Sequence, residues 1–294
     1  MKKEIIEQVR SAILDMMSKV ELDKYHNYTI KETGKWVAGV SSISSILPKP
    51  FLVPWASKMA VSYLGYEDKK LAQKMIKKIG KMSVKQYQAL LHRAKGAFNK
   101  VSDRAKLDGT KGHEFLEMIV KSRIRKQPLP KTDYGDFKRP IKQFLKWEKE
   151  NIKTWILSEA IVSDTELEFS GTLDGLAITK GDKLAVIDFK FANQISKSYH
   201  IQTVGYALPF EKYGIKIEDR IIIRLPKTLT KLVYNKRLYK YDEVENNIEI
   251  GRSPFPYELD KETFLNARIL YKYINAVKKE WKQRSSIDKK EIKT

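Results

Sequence analysis

Three charged side chains interrupt the most apolar part of this chain. From Phe169 to Phe191 it reads FSGTLDGLAITKGDKLAVIDFKF, two apolar runs about the turn-forming stretch Thr179-Lys180-Gly181-Asp182, which is the pattern of a β-hairpin. Asp174 breaks the first run, and Asp188 and Lys190 break the second. Leu184 to Phe191 is apolar on both faces, as a strand covered on both sides must be. A carboxylate and an ammonium in such a strand are costly unless paired or bound to a metal. Asp188 and Lys190 are two apart and share a face. With a three-residue loop, facing residue numbers sum to 362, which sets Asp174 opposite Asp188. Two adjacent carboxylates with a lysine beyond them make a divalent-cation site with a charge stabiliser beside it. The competing reading is a structural ion pair.

Two further groups have useful spacing. His113 and Glu117 lie one helical turn apart; a neutral imidazole is a common metal ligand, and a carboxylate one turn away can orient it. Gln202 and Tyr206 repeat the spacing in the helix after the hairpin. Taken singly, each group also fits an ordinary helix face.

The elements that must position these groups follow from periodicity. Lys2 to Val20 is amphipathic, and Glu4, Glu7 and Asp15 break its apolar face, so it reads as a helix rather than a leader. Tyr28 to Val40 suits one or two short strands. The serines of Gly39 to Tyr66 suit a helix start that Pro48, Pro50 and Pro54 interrupt, with a helix from Trp55 to Leu64. Helices are expected over Asp68–Ile79, Ser83–Ala105 (capped by Ser83 with Gln86), Gly112–Arg123 and Phe137–Asn151, with a loop over Lys106–Gly112. Thr154–Val162 is a strand before the hairpin. Ser196–Tyr213 is a helix, Ile217–Leu225 and Lys231–Tyr239 are strands, and Tyr257–Trp281 is a closing helix. The expected fold is therefore an α/β core carrying a helical N-terminal region. Its parts are a basic helical region over 1–108 packing on the core, the core with its closing helix over 109–283, and a frayed basic tail over 284–294.

With 57 basic and 36 acidic residues the net charge is +21, and binding a polyanion is its simplest use. No run of 18 apolar residues occurs, so no membrane span and no membrane partner is expected; cytoplasm is the default compartment. The absence of cysteine excludes disulfides, thiolate zinc sites and iron–sulfur clusters.

Five motifs in order, GTKGHEFLE (Gly109–Glu117), SEAIV (Ser158–Val162), FSGTLDGL (Phe169–Leu176), VIDFK (Val186–Lys190) and QTVGYA (Gln202–Ala207), resemble the RecB-type branch of the PD-(D/E)xK nuclease superfamily. The serine-rich stretch VSSISSILPKP and the following LVPWASKMA are similar to the opening of phage exonucleases of this branch and of the mitochondrial genome maintenance exonuclease. The resemblance implies the restriction-endonuclease-like fold, a mixed sheet flanked by helices. It makes His113, Asp174, Asp188 and the Phe189 backbone carbonyl metal ligands and Lys190 the catalytic lysine. Gln202 and Tyr206 line the DNA side of the cleft, Glu117 stands behind the ligands, and Glu159 matches an acidic position of unassigned role. Mg²⁺ is the implied cofactor, with Mn²⁺ as a substitute. Members that hold an iron–sulfur cluster use four cysteines, which this chain lacks, and it has no GxxxxGK[ST] loop of a helicase motor.

The resulting expectation is a stand-alone exonuclease acting on DNA ends, preferring single strands, in replication, recombination or repair, and in the host cytoplasm if phage or viral. Basic helices over Lys69–Lys106 and Lys138–Lys149 would form a charged wall, with Tyr87, Phe98, Phe144 and Trp147 as bases' stacking partners or as core residues. The alternatives are a DNA endonuclease on the same core and a non-catalytic DNA-binding protein.

Overall fold

The computed structural model describes residues 2–226, 228–235 and 240–291. From the N-terminus, α1 (Lys2–Lys19) leads into β1 (Val20–Leu22), β2 (Tyr28–Ile30), β3 (Trp36–Gly39) and α2 (Val40–Ser44). Then come α3 (Leu52–Tyr63), α4 (Lys69–Ile79), α5 (Val84–Lys95), α6 (Ala97–Ile124) and α7 (Lys138–Asn151). β4 (Ile152–Asp164), β5 (Phe169–Thr179) and β6 (Leu184–Phe191) follow, then α8 (Lys197–Ala207) and β7 (Asp219–Leu225). The remaining elements are β8 (Thr230–Asn235), β9 (Lys240–Glu245), β10 (Glu249–Gly251) and α9 (Tyr257–Glu291).

This is an α/β fold built on a mixed sheet with helices on both faces. The strand order is β1-β2-β3-β5-β6-β7-β10, with β4 also on β5. β3 runs parallel to β5, and β6 parallel to β7. Along β6 the alternation sorts the two layers. Leu184 and Val186 enter a core with Val9, Ile13 and Met16 of α1, Ile201 and Val204 of α8, and Phe264 of α9. Ala185, Ile187, Phe189 and Phe191 enter the other, with Leu116, Ile119 and Val120 of α6 and Phe144 of α7. Both faces are covered, so the near-continuous apolar run of β6 is what its place requires.

The hairpin has the loop that its register needs. Thr179 N–H donates to the Lys183 carbonyl at 2.9 Å, which leaves residues 180–182 as a three-residue loop. Asp182, at φ +61°, is its left-handed residue, the conformation such loops require at that place. The paired residues Gly175↔Ile187, Leu176↔Val186, Ala177↔Ala185 and Ile178↔Leu184 all sum to 362.

The chain divides into two compact units, residues 1–47 with 112–294, and residues 48–111. The expected boundary at 108/109 is therefore corrected. The first 47 residues belong with the core because β3 pairs with β5, Ala38 against Phe169 and Gly39 against Ser170. Within the smaller unit, Asp68 caps α4 by accepting the Leu71 N–H at 2.9 Å. Ser83 and Gln86 form the expected capping box on α5, and Trp55 packs edge-on against Phe98 at 6.3 Å. This unit carries 15 lysines and arginines against four aspartates and glutamates.

Other differences have local causes. The expected loop over 106–112 is helical, because α6 runs without a break from Ala97 to Ile124. Glycine disfavours a helix interior by roughly 1 kcal/mol, but a Cβ at Gly112 would lie 2.4 Å from the Phe191 ring, so the residue lets helix and strand touch. The helix after the hairpin stops at Ala207 and continues as a 3-10 segment over Leu208–Tyr213, which contains Pro209. Residues 284–291 of the expected frayed tail continue α9, and residues 292–294 lie outside the described ones. Of the expected strand Lys231–Tyr239, residues to Asn235 form β8, which pairs with β9; residues 236–239 are likewise outside. Phe144 is fully buried and offers no stacking surface, while Trp147 is half-buried against the same core. Among the described residues no helix is long and apolar enough to cross a membrane.

Candidate metal centre

The site occupies a fork in the sheet. β4 pairs with β5 along its whole length. On the other edge of β5, β3 takes Phe169 and Ser170, while β6 takes Gly175 onward. Gly171 to Asp174 face the gap between the two partners. The ladder with β6 stops one pair short of Asp174 and Asp188, because the Asp174 carboxylate itself accepts the Phe189 N–H at 2.6 Å. A side chain has replaced a backbone acceptor, and the strands splay there. In an extended residue N–H and C=O point to the same edge, so the Phe189 carbonyl also faces the fork.

Three elements bring ligands to it. The register Ser158↔Gly175 and Ala160↔Leu173 puts Glu159 of β4 across from Asp174, although the ladder skips that pair. Glu159 sits at φ +51°, a conformation uncommon for a residue other than glycine. His113 arrives on α6, with Nδ1 3.5 Å from Asp174 Oδ1. One ligating atom each of His113, Glu159 and Asp174 lies within 4.8 Å of the others. This set adds Glu159 to the expected His113 and Asp174, and the expected Asp188 lies beside it. Asp188 turns one oxygen to Lys190 Nζ at 2.7 Å, and its other oxygen is buried with no partner among the described residues.

The remaining candidates surround this group. Gln202 donates to the Tyr206 hydroxyl at 2.7 Å, and both side chains, with His113, Asp174 and Lys190, line a cavity of about 310 Å³. Gly171 lets Tyr206 close on β5, since a Cβ there would lie 2.9 Å from its ring. Glu117 pairs with Lys121 and is outside the ligating group. Tyr199, which sequence reasoning missed, lies beneath Lys190, with Nζ 5.2 Å from the ring centroid, a cation–π contact.

The electrostatics are those of crowded carboxylates. Burial, then the charges of Asp174 and Glu117, push Glu159 up to about 7. Burial pushes Asp188 up to about 6; Lys190 opposes the rise and Asp174 adds to it. For Asp174, burial works upward, but His113, Lys190 and the Phe189 N–H outweigh it and hold the group below its ordinary value. Burial acts to lower Lys190, yet Asp188 and Asp174 keep it above its usual range. His113 is likewise raised, Asp174 outweighing burial.

No family model matches the chain, and no curated protein is similar enough to count as a relative.

The donor chemistry fits a divalent cation. Carboxylates and a carbonyl are hard oxygen ligands suited to Mg²⁺, and the single imidazole also admits Mn²⁺. The partnerless Asp188 oxygen and the two raised carboxylates are groups whose charge a cation would relieve. Glu159 was legible by the signal that marked Asp188, one carboxylate in an apolar strand (TWILSEAIV). Its facing partner was not, because β4 shifts register twice before reaching it.

Proposed function

We propose that this protein is a divalent-metal-dependent deoxyribonuclease of the RecB-type PD-(D/E)xK kind, hydrolysing phosphodiester bonds from DNA ends. The observation that carries the reading is the pairing of Lys190 with Asp188 directly beside the His113, Glu159 and Asp174 group. His113, Glu159 and Asp174, with Asp188 and the Phe189 carbonyl beside them, would hold Mg²⁺ or Mn²⁺, which would supply Lewis acidity and lower the pKa of water.

The protein's own groups do the rest. Lys190, raised and therefore cationic, holds positive charge where negative charge develops on the phosphate, a fixed electrostatic contribution. Tyr199 and Asp188 restrict its ammonium. Gln202 and Tyr206, buried and bonded to each other, keep the α8 wall of the cavity in place. The +21 net charge attracts the polyanion. No thiolate ligand is present, so the cofactor is the divalent ion and not an iron–sulfur cluster.

The test is one assay on 5′- and 3′-labelled DNA, linear and circular, single- and double-stranded, with Mg²⁺, Mn²⁺ or EDTA. Metal-dependent release of nucleotides from linear ends is the expected result. Rapid breakdown of closed circular single strands means an endonuclease instead. Asp188→Ala and Lys190→Ala should abolish cleavage while DNA binding persists; full cleavage by either variant rejects the assignment.

A further inference from the structure

The cavity at the fork has two unlike walls. One is the charged set already described. The other comes from the N-terminal segment and carries no acidic or lysine side chain: Trp36 of β3 with Ser41 and Ser42 of α2, beside His26 and Asn27, none of which has a role in the proposed hydrolysis. Trp36 is 49 % exposed, so part of its ring is open to a partner. It is nonetheless held, stacked on Tyr271 with ring centroids 6.5 Å apart and planes 29° apart. The Ser44 and Ser45 hydroxyls donate to the carbonyls of Ser41 and Ser42 at 3.0 and 2.7 Å. They pin the backbone of the two serines that line the cavity. At about 310 Å³ the space sits at the small end of ligand sites, near the lower bound of ~300 Å³. That is room for one nucleotide.

We propose that this wall is a binding pocket for a single unpaired nucleotide at a DNA end. The base stacks on Trp36, the sugar lies against the Ser41 and Ser42 hydroxyls, and the phosphate is directed to Lys190 and the ligand group. Every base has a π-face, so the pocket is indifferent to sequence. It selects for an end that is already unpaired, because a base stacked within a duplex has no face free for the ring. This rests on the nuclease reading for the direction of the phosphate; the stacking of the base does not.

The experiment uses a single-stranded oligonucleotide ending in 2-aminopurine, whose fluorescence falls on stacking, titrated onto the full chain in Ca²⁺ and then assayed for cleavage in Mg²⁺ and Mn²⁺. The expected result is quenching with the native protein. In Trp36→Ala the quenching is lost and binding weakens roughly ten- to hundredfold, the effect of removing one stacking partner. Trp36→Phe keeps most of both, which separates stacking from a folding defect. In cleavage the Trp36→Ala change falls on KM rather than on kcat. An unquenched end with the native protein, or Trp36→Ala with native affinity and KM, overturns the pocket while leaving the nuclease intact. Quenching that depends on Trp36 without cleavage by the native protein overturns the nuclease and upholds the pocket.

Discussion

Two clusters of charge sit at opposite ends of the same pair of strands. Asp188 and Lys190 of β6 lie beside Ile222 and Arg224 of β7, whereas Asp219 and Arg220 of β7 lie beside Ala185 and Val186. At the second end Arg220 bonds Asp260 at 2.7 Å, Arg252 grips Asp219 with two nitrogens, and Tyr257 and Lys261 share Glu211. That cluster also borders the larger cavity, about 690 Å³. Yet each of these acids has a cationic partner in hydrogen-bonding geometry. At the fork, three carboxylates and an imidazole share one lysine, and two of the carboxylates are pushed toward neutrality. The fork thus differs from the paired cluster in carrying more negative charge than its cations offset, which is what makes it the candidate for a cation.

The largest test of this contrast is catalytic. Asp188→Asn keeps the shape of the fork and removes a charge, so metal-dependent cleavage should fall at least about 100-fold with the circular dichroism spectrum unchanged. Native rates in that variant would put the fork on the same footing as the paired cluster.

At the other end the loss should appear in stability. Asp260→Ala strands a guanidinium whose side chain is only 11 % exposed. Breaking a buried pair in this way costs about 3–5 kcal/mol, to be read from urea unfolding, with activity per folded molecule unchanged. A loss of cleavage without a loss of stability would mean that this end also serves the reaction.

Acidity sharpens the difference further. Glu159 and Asp188 titrate near 7 and 6 without an ion, and a ligand must be ionised to bind a cation. Mn²⁺ affinity should therefore fall about tenfold or more between pH 8 and pH 6, measured calorimetrically with proton release. An affinity flat over that range would remove both residues from the ligand set.

The smallest effect is on the ion-free fold. A folded-state pKa above the unfolded one stabilises at low pH, and that stability is lost as pH rises through the folded value. For Glu159 the window runs from 4.5 to about 7. Glu159→Gln should flatten this slope and raise the melting temperature at pH 8 by a few degrees, on the order of 1 kcal/mol or less. A lower melting temperature would mean that the carboxylate is a structural partner.

Much of the site was legible because its signals are local. Asp174, Asp188 and Lys190 stood out as charges in apolar runs, and Tyr206 and Gln202 as neighbours one turn apart. What was misjudged depended on distant partners. The expected loop over Lys106–Gly112 is helix, and Gly112 lets that helix close on the Phe191 ring. Phe144 and Trp147 could be base-stacking or core residues from sequence, periodicity favouring the core; Phe144 lies against Trp155 and Phe189 in the core, with Trp147 half-buried beside it.

By itself the sequence determined the hairpin and, on the condition of a three-residue loop that the structure then supplied, its register, because strand alternation and turn chemistry act over a few residues. The tertiary structure alone decided the fork. That feature needs β3, more than a hundred residues upstream, to take one stretch of β5's edge and leave Asp174 between partners. It also needs two register shifts in β4 to carry Glu159 opposite Asp174. A one-residue slip in a strand turns every side chain to the other face, so only the complete set of pairings could choose the carboxylate that meets His113.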